Sequence, residues 1–365
     1  MCKRREAFSL AVLIGRGLVQ SLLLDGSYPS FLPFFKPLFG FECTVFISHV
    51  EMEVDCFVIG FFCFYQKLSG EVVKFLASMK TYPDKMLGAI AGDTIGSVYE
   101  WHNIKYKPAA DTMAQGKARF TDDSVMTCAV ADGIMRALSR LPDDWYLSGR
   151  EEGGRLLMRE IVTSLKTYGR RFPRAGYGAS FCRWLISEDT EPYNSWGNGS
   201  AMRVSFAGWA ARSLEEAEAL ATYSAAVTHN HPEGIKGAKA VAGSIFTLRN
   251  SGNKDDVRRY ASQYYNLGFT LDDIRESYTF DVSCQGSVPQ AIVAFLTGNS
   301  FVDVVAEAIS IGGDSDTLAA MAGSMAEVIY PIPDDIAGRV AERLDPYLLR
   351  TVQNAAAFLE GKQEA

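Results

Sequence analysis

Apolar residues recur at helical spacing through most of the chain. Val125, Met126, Ala129, Val130, Ile134, Ala137 and Leu138 fall at i, i+1, i+4 and i+5 steps, one broad stripe of a helix. Ile235, Ala238, Val241, Ala242, Ile245 and Phe246 make a second stripe, and Leu318, Met321, Ala322, Met325, Val328 and Ile329 a third. Ser213 followed by Glu216 is the signature of a capping box ahead of Leu214. Pro289 is expected in a first helical turn, where its missing N–H is tolerated. Small residues such as Ala238, Ala240, Ala242 and Gly243 would let two helices approach closely. The expectation is a compact, mostly α domain of roughly 280 residues. Its Gly-rich stretches are loops, and loops are where chemistry is to be sought.

The first 78 residues break this pattern. Glu51 to Cys56 alternates with period two, and Cys43–Tyr65 is rich in β-branched and aromatic residues, which is strand propensity. Yet Pro29, Pro33, Pro37 and 12 of the 22 Phe give this segment no consistent core face. Three readings stay open for it. Met1–Leu24 is a secretory signal with Lys3-Arg4-Arg5 as its basic start, although Arg16 interrupts the apolar run and no small-residue cleavage site follows. Alternatively, residues 1–78 are a small accessory domain, or translation starts at Met79. Mass spectrometry of the native N-terminus separates these readings.

Composition narrows the function. Of 365 residues, 48% are hydrophobic and 22% charged, and no window approaches 18 uninterrupted apolar residues, so no membrane span is expected. Lys and Arg number 36 against 43 Asp and Glu, which argues against holding nucleic acid by electrostatics alone. Beyond residue 78 only Cys128, Cys182 and Cys284 remain, without CxxC spacing. Neither a disulfide framework nor a zinc pattern is expected, and the cytoplasm is the expected compartment. A monomer is the default at this size.

Two acidic clusters sit at helix starts. Phe120-Thr121-Asp122-Asp123-Ser124 precedes one stripe, and Gly312-Gly313-Asp314-Ser315-Asp316-Thr317 precedes another. Each alone reads as a helix cap. Brought together, Asp122, Asp123, Asp314 and Asp316 would repel one another unless cations were bound. With Thr121 and Thr317 as neutral oxygen donors and no His or Cys, such a site suits Mg²⁺, Mn²⁺ or Ca²⁺, and two such ions suit metal-assisted hydrolysis.

With these motifs in order, the chain resembles the ADP-ribosylglycohydrolase family. The resemblance is carried by Met86 to Glu100 (MLGAIAGDTIGSVYE), the two acidic clusters, Gly197-Asn198-Gly199-Ser200-Ala201-Met202-Arg203 and Thr228-His229, and covers residues 86 to about 350. It implies an all-α orthogonal bundle in residues 79–365. It also implies that Thr121, Asp122, Asp123, Asp314, Asp316 and Thr317 hold two Mg²⁺, which Mn²⁺ can replace, beside the anomeric carbon of ADP-ribose. Glu100, within Tyr99-Glu100-Trp101-His102, is similar to the acid/base glutamate of the serine-specific branch. Asp93, in what reads as a Gly-Asp-x-x-Gly turn, is expected to be structural.

Substrate contacts follow from the same resemblance. Gly197, Asn198, Gly199 and Ser200 would offer backbone N–H groups to a diphosphate, with Arg203 in a fold-stabilising ion pair. His229 is expected at the ribose-phosphate groove, its alternative being a cap for the helix that begins at Leu214 and that Pro232 would end. Gly176-Tyr177-Gly178 and Ser283-Cys284-Gln285-Gly286-Ser287 look like further pocket loops, Tyr177 being suited to stack on adenine. Cys284 lacks a partner base and is not expected to be a nucleophile. The implied reaction is hydrolysis that releases ADP-ribose from a modified protein side chain, from a nucleic-acid end or from O-acetyl-ADP-ribose. Alternatives are a non-catalytic ADP-ribose-binding relative and a metal-dependent nucleotide phosphohydrolase.

Overall fold

Alternate apolar stripes on successive helices leave nothing for a sheet to bury, and the fold follows from that. The computed structural model describes residues 85–148 and 150–363; residues 1–78, with their three readings, lie outside the described part. In chain order the helices are α1 (Leu87–Gly96), α2 (Asp122–Leu138), α3 (Arg150–Arg171), α4 (Ala179–Ile186), α5 (Gly199–Met202), α6 (Ser205–Ala210), α7 (Leu214–Ala226) and α8 (Pro232–Ser251). They continue as α9 (Lys254–Ala261), α10 (Leu271–Ile274), α11 (Cys284–Thr297), α12 (Phe301–Ser310), α13 (Ser315–Ala326), α14 (Asp334–Arg343) and α15 (Pro346–Gln363). Among the described residues the sole β feature is an antiparallel bridge between Gly197 and Ser283. The described residues are all-α, as expected.

The three apolar stripes are the buried faces of α2, α8 and α13. The last stripe is overestimated by half a turn, since α13 stops at Ala326 and Val328 and Ile329 follow it in a turn. Around these helices, basic side chains close helix ends whose carbonyls lack partners. Lys166 Nζ donates to Trp184 O at 2.9 Å after α4, Lys254 Nζ to Leu296 O at 3.4 Å after α11, and Arg249 Nη1 to Ala211 O at 3.2 Å after α6.

The central contact is α1 on α13, and it is built from absent side chains. Gly88, Gly92 and Gly96 fall four residues apart on one face of α1. A Cβ on Gly92 would lie 2.0 Å from Ala319 O, one on Gly88 2.4 Å from Gly323 O, and one on Gly96 2.5 Å from Asp316 Cα. The two backbones therefore touch, and Gly96 meets α13 at the acidic residue Asp316. Gly92-Asp93-Thr94-Ile95-Gly96 is thus the last turn of a buried helix and not a free-standing turn. Its glycines serve packing.

Three local expectations are corrected. Pro289 sits in the second turn of α11, because Ser283 Oγ accepts the Gly286 N–H and starts the helix earlier. Pro232 opens α8 at its first position, where proline is preorganised, and does not end α7. The capping box at Ser213 is half formed. Ser213 Oγ accepts from Glu216 N at 3.1 Å, but the Glu216 carboxylate turns to Arg212 N at 2.8 Å and Trp145 Nε1 at 3.0 Å.

Candidate functional site

Helix α2 begins where Thr121 Oγ1 accepts the Asp123 N–H at 3.3 Å, so the threonine caps and its acidic neighbours need not. Helix α13 begins after Gly312 and Gly313, both with positive φ (74° and 71°), a conformation glycine adopts without strain. Asp314 at its N-terminus makes no capping bond. At α13 Asp316 Oδ1 accepts the Thr317 N–H at 2.9 Å, and both starts still carry carboxylate oxygens that helix capping leaves over.

The two starts meet. Thr317 Oγ1 donates to Asp123 Oδ2 at 3.2 Å across 194 residues of sequence. Carboxylate oxygens of Asp93, Asp123 and Asp316 lie within 4.8 Å of one another, as do those of Glu100, Asp314 and Asp316. Among the described residues no Lys or Arg forms an ion pair with Asp93, Asp122, Asp123, Asp314 or Asp316. Burial, reinforced by Asp93 and Asp122, holds Asp123 well above the usual carboxylate range. Burial and Asp123 do the same to Asp316, and burial pushes Asp122 up to about 7.

Such a cluster asks for cations. The Oδ1 atom of Asp123 is buried with no hydrogen-bond partner, and buried anionic oxygens without partners are costly. Hard oxygen donors from Asp123, Asp314, Asp316, Thr121 and Thr317, with Asp122 and Glu100 at the rim, fit divalent ions of the Mg²⁺ type. Asp93 differs from its neighbours. It accepts from Thr121 N (2.9 Å), Thr121 Oγ1 (2.7 Å), Ser124 N (3.0 Å) and the Ser124 hydroxyl. It ties α1 to the start of α2, the structural role expected of it.

A cavity of about 460 Å³ opens over this cluster. Glu100, Asp122, Tyr177, Gly197–Gly199 and His229 line it with Asp123, Asp314, Asp316 and Thr317, whereas Thr121 and Ser200 do not. Burial and Asp314 raise the Glu100 carboxyl, which sits in the turn after α1. Trp101 beside it is 75% exposed and stacks on Phe280, with ring centroids 5.2 Å apart and planes 13° from parallel. Asn103 Oδ1 accepts from Gly313 N at 3.1 Å, and Lys105 Nζ donates to Ile311 O at 2.6 Å. The Glu100 segment is thus tethered to the approach to α13. None of these tethers was read from the sequence.

Other residues stand differently from their sequence reading. Asn198 Nδ2 donates to Asp314 Oδ2 at 2.7 Å and so orients a carboxylate of the cluster. Its own N–H is spent on Val282 O at 2.7 Å, and the Gly197 N–H on Ser195 Oγ at 3.2 Å. Ser200 turns its hydroxyl inward, to Gly234 O at 2.7 Å. His229 does not cap α7 with its ring; Nδ1 pairs with Thr228 Oγ1 at 2.8 Å. Arg203 is buried and makes no ion pair among the described residues. The Tyr177 hydroxyl is buried without a partner, its ring 5.2 Å from that of Phe181. Cys284 is buried against Gly197 O, and burial pushes its thiol up to about 12, which suits no nucleophile.

Comparison with known proteins decides the family. The model of the family described as ADP-ribosylglycohydrolase matches residues 84–363. The chain belongs to the ADP-ribosylglycohydrolase family. Mouse ADP-ribosylhydrolase ARH3 is 26% identical over 330 residues, covering 69% of this chain and 84% of that protein. Human ADP-ribosylhydrolase ARH3 is 25% identical over 328 residues (69% and 86%). The ADP-ribosylarginine hydrolase Tri1 of Pseudomonas putida is 25% identical over 277 residues (68% and 70%). A solved structure titled ADP-ribosylglycohydrolase-related protein complex matches with a TM-score of 0.47 and 19% identity, covering 75% of this chain and 95% of that one. As an ADP-ribosylglycohydrolase the chain is a hydrolase of glycosyl bonds. No helix among the described residues is long and apolar enough to cross a membrane.

Proposed function

We propose that this ADP-ribosylglycohydrolase uses two Mg²⁺, replaceable by Mn²⁺, to cleave the bond between ADP-ribose and an acceptor, a modified protein side chain or the acetyl group of O-acetyl-ADP-ribose. The observation that carries the reading is the Thr317–Asp123 contact, which joins two distant acidic starts into one cluster without a cationic side chain. Thr121, Asp122, Asp123, Asp314, Asp316 and Thr317 would hold the ions. When bound, these supply the positive charge that orients ribose hydroxyls and an attacking water.

The chain's own residues do the rest. Asn198 fixes one carboxylate of Asp314, and Asp93 locks the start of α2 against α1. Glu100 lies on the cavity side of the cluster, and burial together with Asp314 raises its carboxyl, which suits a group that exchanges a proton. It takes a proton from the attacking water or passes one to the leaving acceptor. With the Gly197 and Asn198 N–H groups spent on Ser195 and Val282, Gly199 and His229 would receive the diphosphate, and Tyr177 the adenine.

The test is direct. Purified full-length chain is incubated with ADP-ribosyl-serine, ADP-ribosyl-arginine and O-acetyl-ADP-ribose, in Mg²⁺ or in EDTA, and the products are identified. Free ADP-ribose formed only with metal is the expected result. AMP as product, or tight binding without turnover, contradicts the proposal.

A further inference from the structure

A buried arginine without a carboxylate is unusual, because burying a guanidinium uncompensated is costly. Arg203 is 1% exposed, follows α5 directly and lines the cavity. Its Nη2 donates to Thr228 Oγ1 at 2.7 Å and, more distantly, to Ser224 O at 3.5 Å, while Nε has no partner. Thr228 Oγ1 lies 2.8 Å from His229 Nδ1. All three side chains are buried.

Donor counting orders this chain of contacts. A guanidinium only donates, so Thr228 Oγ1 is the acceptor in its bond with Arg203. The hydroxyl keeps one hydrogen and one lone pair for its remaining partners, so it is the Arg203 charge behind it that decides what His229 Nδ1 carries. An Nδ1 that accepts carries no proton, so a neutral ring carries its proton on Nε2. The guanidinium charge lies on the Nδ1 side, where a lone pair is favoured over an N–H. Burial and Arg203 hold the His229 pKa well below its ordinary value, which keeps the ring neutral. The Tyr193 ring packs 6.1 Å from that of His229 and helps to hold it in place.

The far edge of the ring faces the glycine turn. A Cβ on Gly199 would lie 3.1 Å from His229 Nε2, and one on Gly197 3.6 Å. Only residues without side chains leave the Nε2 edge open there. We propose that Arg203 and Thr228 are positioning residues that fix His229 with its proton on Nε2, presenting a neutral N–H donor to the diphosphate of an ADP-ribose conjugate seated at Gly197–Gly199. This rests on the ADP-ribose reading of the site. The relay lends an anionic ligand the field of a buried cation that forms no ion pair with the carboxylates of the cluster.

The experiment reads the tautomer and the affinity separately. The full chain, with ¹⁵N-labelled histidine, is examined by long-range ¹H–¹⁵N NMR, His229 being assigned by the signal lost in His229→Gln. ADP-ribose affinity is measured by calorimetry in EDTA. Wild type and Thr228→Ser are expected to show His229 protonated on Nε2 and to bind ADP-ribose with similar affinity. Thr228→Val keeps the shape but not the hydroxyl; it is expected to show a mixed or Nδ1-protonated ring and about tenfold weaker binding. A wild-type His229 protonated on Nδ1, with ADP-ribose bound, overturns the relay alone. So does a Thr228→Val chain whose tautomer and affinity are unchanged. A wild-type chain that binds no ADP-ribose overturns the reading of the site on which the ligand assignment rests, whichever nitrogen carries the proton.

Discussion

Asp93 and Asp123 share a cluster and are in opposite condition: one accepts four hydrogen bonds, the other has an oxygen with none. That contrast separates a residue whose oxygens build the site from one with an oxygen to spare for the proposed cation. Asp316 belongs to both carboxylate groups, so Asp316→Ala is expected to abolish turnover and to lower Mn²⁺ binding, read by electron paramagnetic resonance; near-normal activity would refute the ligand assignment. Glu100→Gln keeps the size of the side chain and removes its proton exchange. Turnover is expected to fall about a hundredfold with ADP-ribose affinity roughly intact, and the reverse pattern contradicts an acid/base role. The acidic residues were legible because their types and spacing are chemically pointed. Asn198 was not: an asparagine in a glycine turn reads as a ligand contact, and only geometry shows its amide turned to Asp314. Arg203 was misread for a similar reason, since sequence does not show that no carboxylate comes near it.

At the scale of helices, the site depends on how closely α1 and α13 approach. Gly92→Ala would drive a methyl into the Ala319 carbonyl. The backbones must separate, at a cost of about 1–3 kcal/mol for overpacking, and α13 carries Asp316 with it. The expected outcome is a melting temperature lower by several degrees and weakened Mn²⁺ binding together; an unchanged affinity for Mn²⁺ would show that the cluster does not depend on this contact. The apolar stripes of α2, α8 and α13 were readable because helical periodicity survives burial. Helix ends were less so. Pro232 and Pro289 were placed by general preference, but the hydrogen bond from Gly286 to Ser283 decides where α11 begins. The segment after α1 offers no period at all, and its place is set by Trp101 stacking on Phe280 and by Lys105 reaching Ile311.

For the molecule as a whole, buried acids tie stability to pH. Burial raises Asp122 to about 7 and Glu327 to about 8, although Glu327 accepts the Gly88 N–H at 2.7 Å and the Trp209 indole N–H at 3.3 Å. In the unfolded chain such carboxyls titrate near about 4. The folded chain keeps protons that the unfolded chain releases, so this stabilisation is full below about pH 4 and is lost as pH rises through about 7 to 8. In EDTA the melting temperature is expected to fall between about pH 5 and pH 8, and a rise over that interval contradicts the assignment. Mg²⁺ is expected to raise it more at the higher pH, where protons no longer compete for the same oxygens. Glu327→Gln should remove part of the slope in EDTA and leave the Mg²⁺-dependent gain unchanged, because Glu327 caps the far end of α1.

The Thr317–Asp123 contact has a consequence for biosynthesis. A ribosome that has released the first acidic start has released half of the proposed metal cage, and Thr317 is 194 residues beyond Asp123. Polypeptide cut short before Thr317 cannot assemble the oxygen donors on which turnover is proposed to depend, however well its earlier helices pack. Activity would be withheld until Thr317 has been added, so fragments aborted before it would be inert toward the modifications that the hydrolase removes.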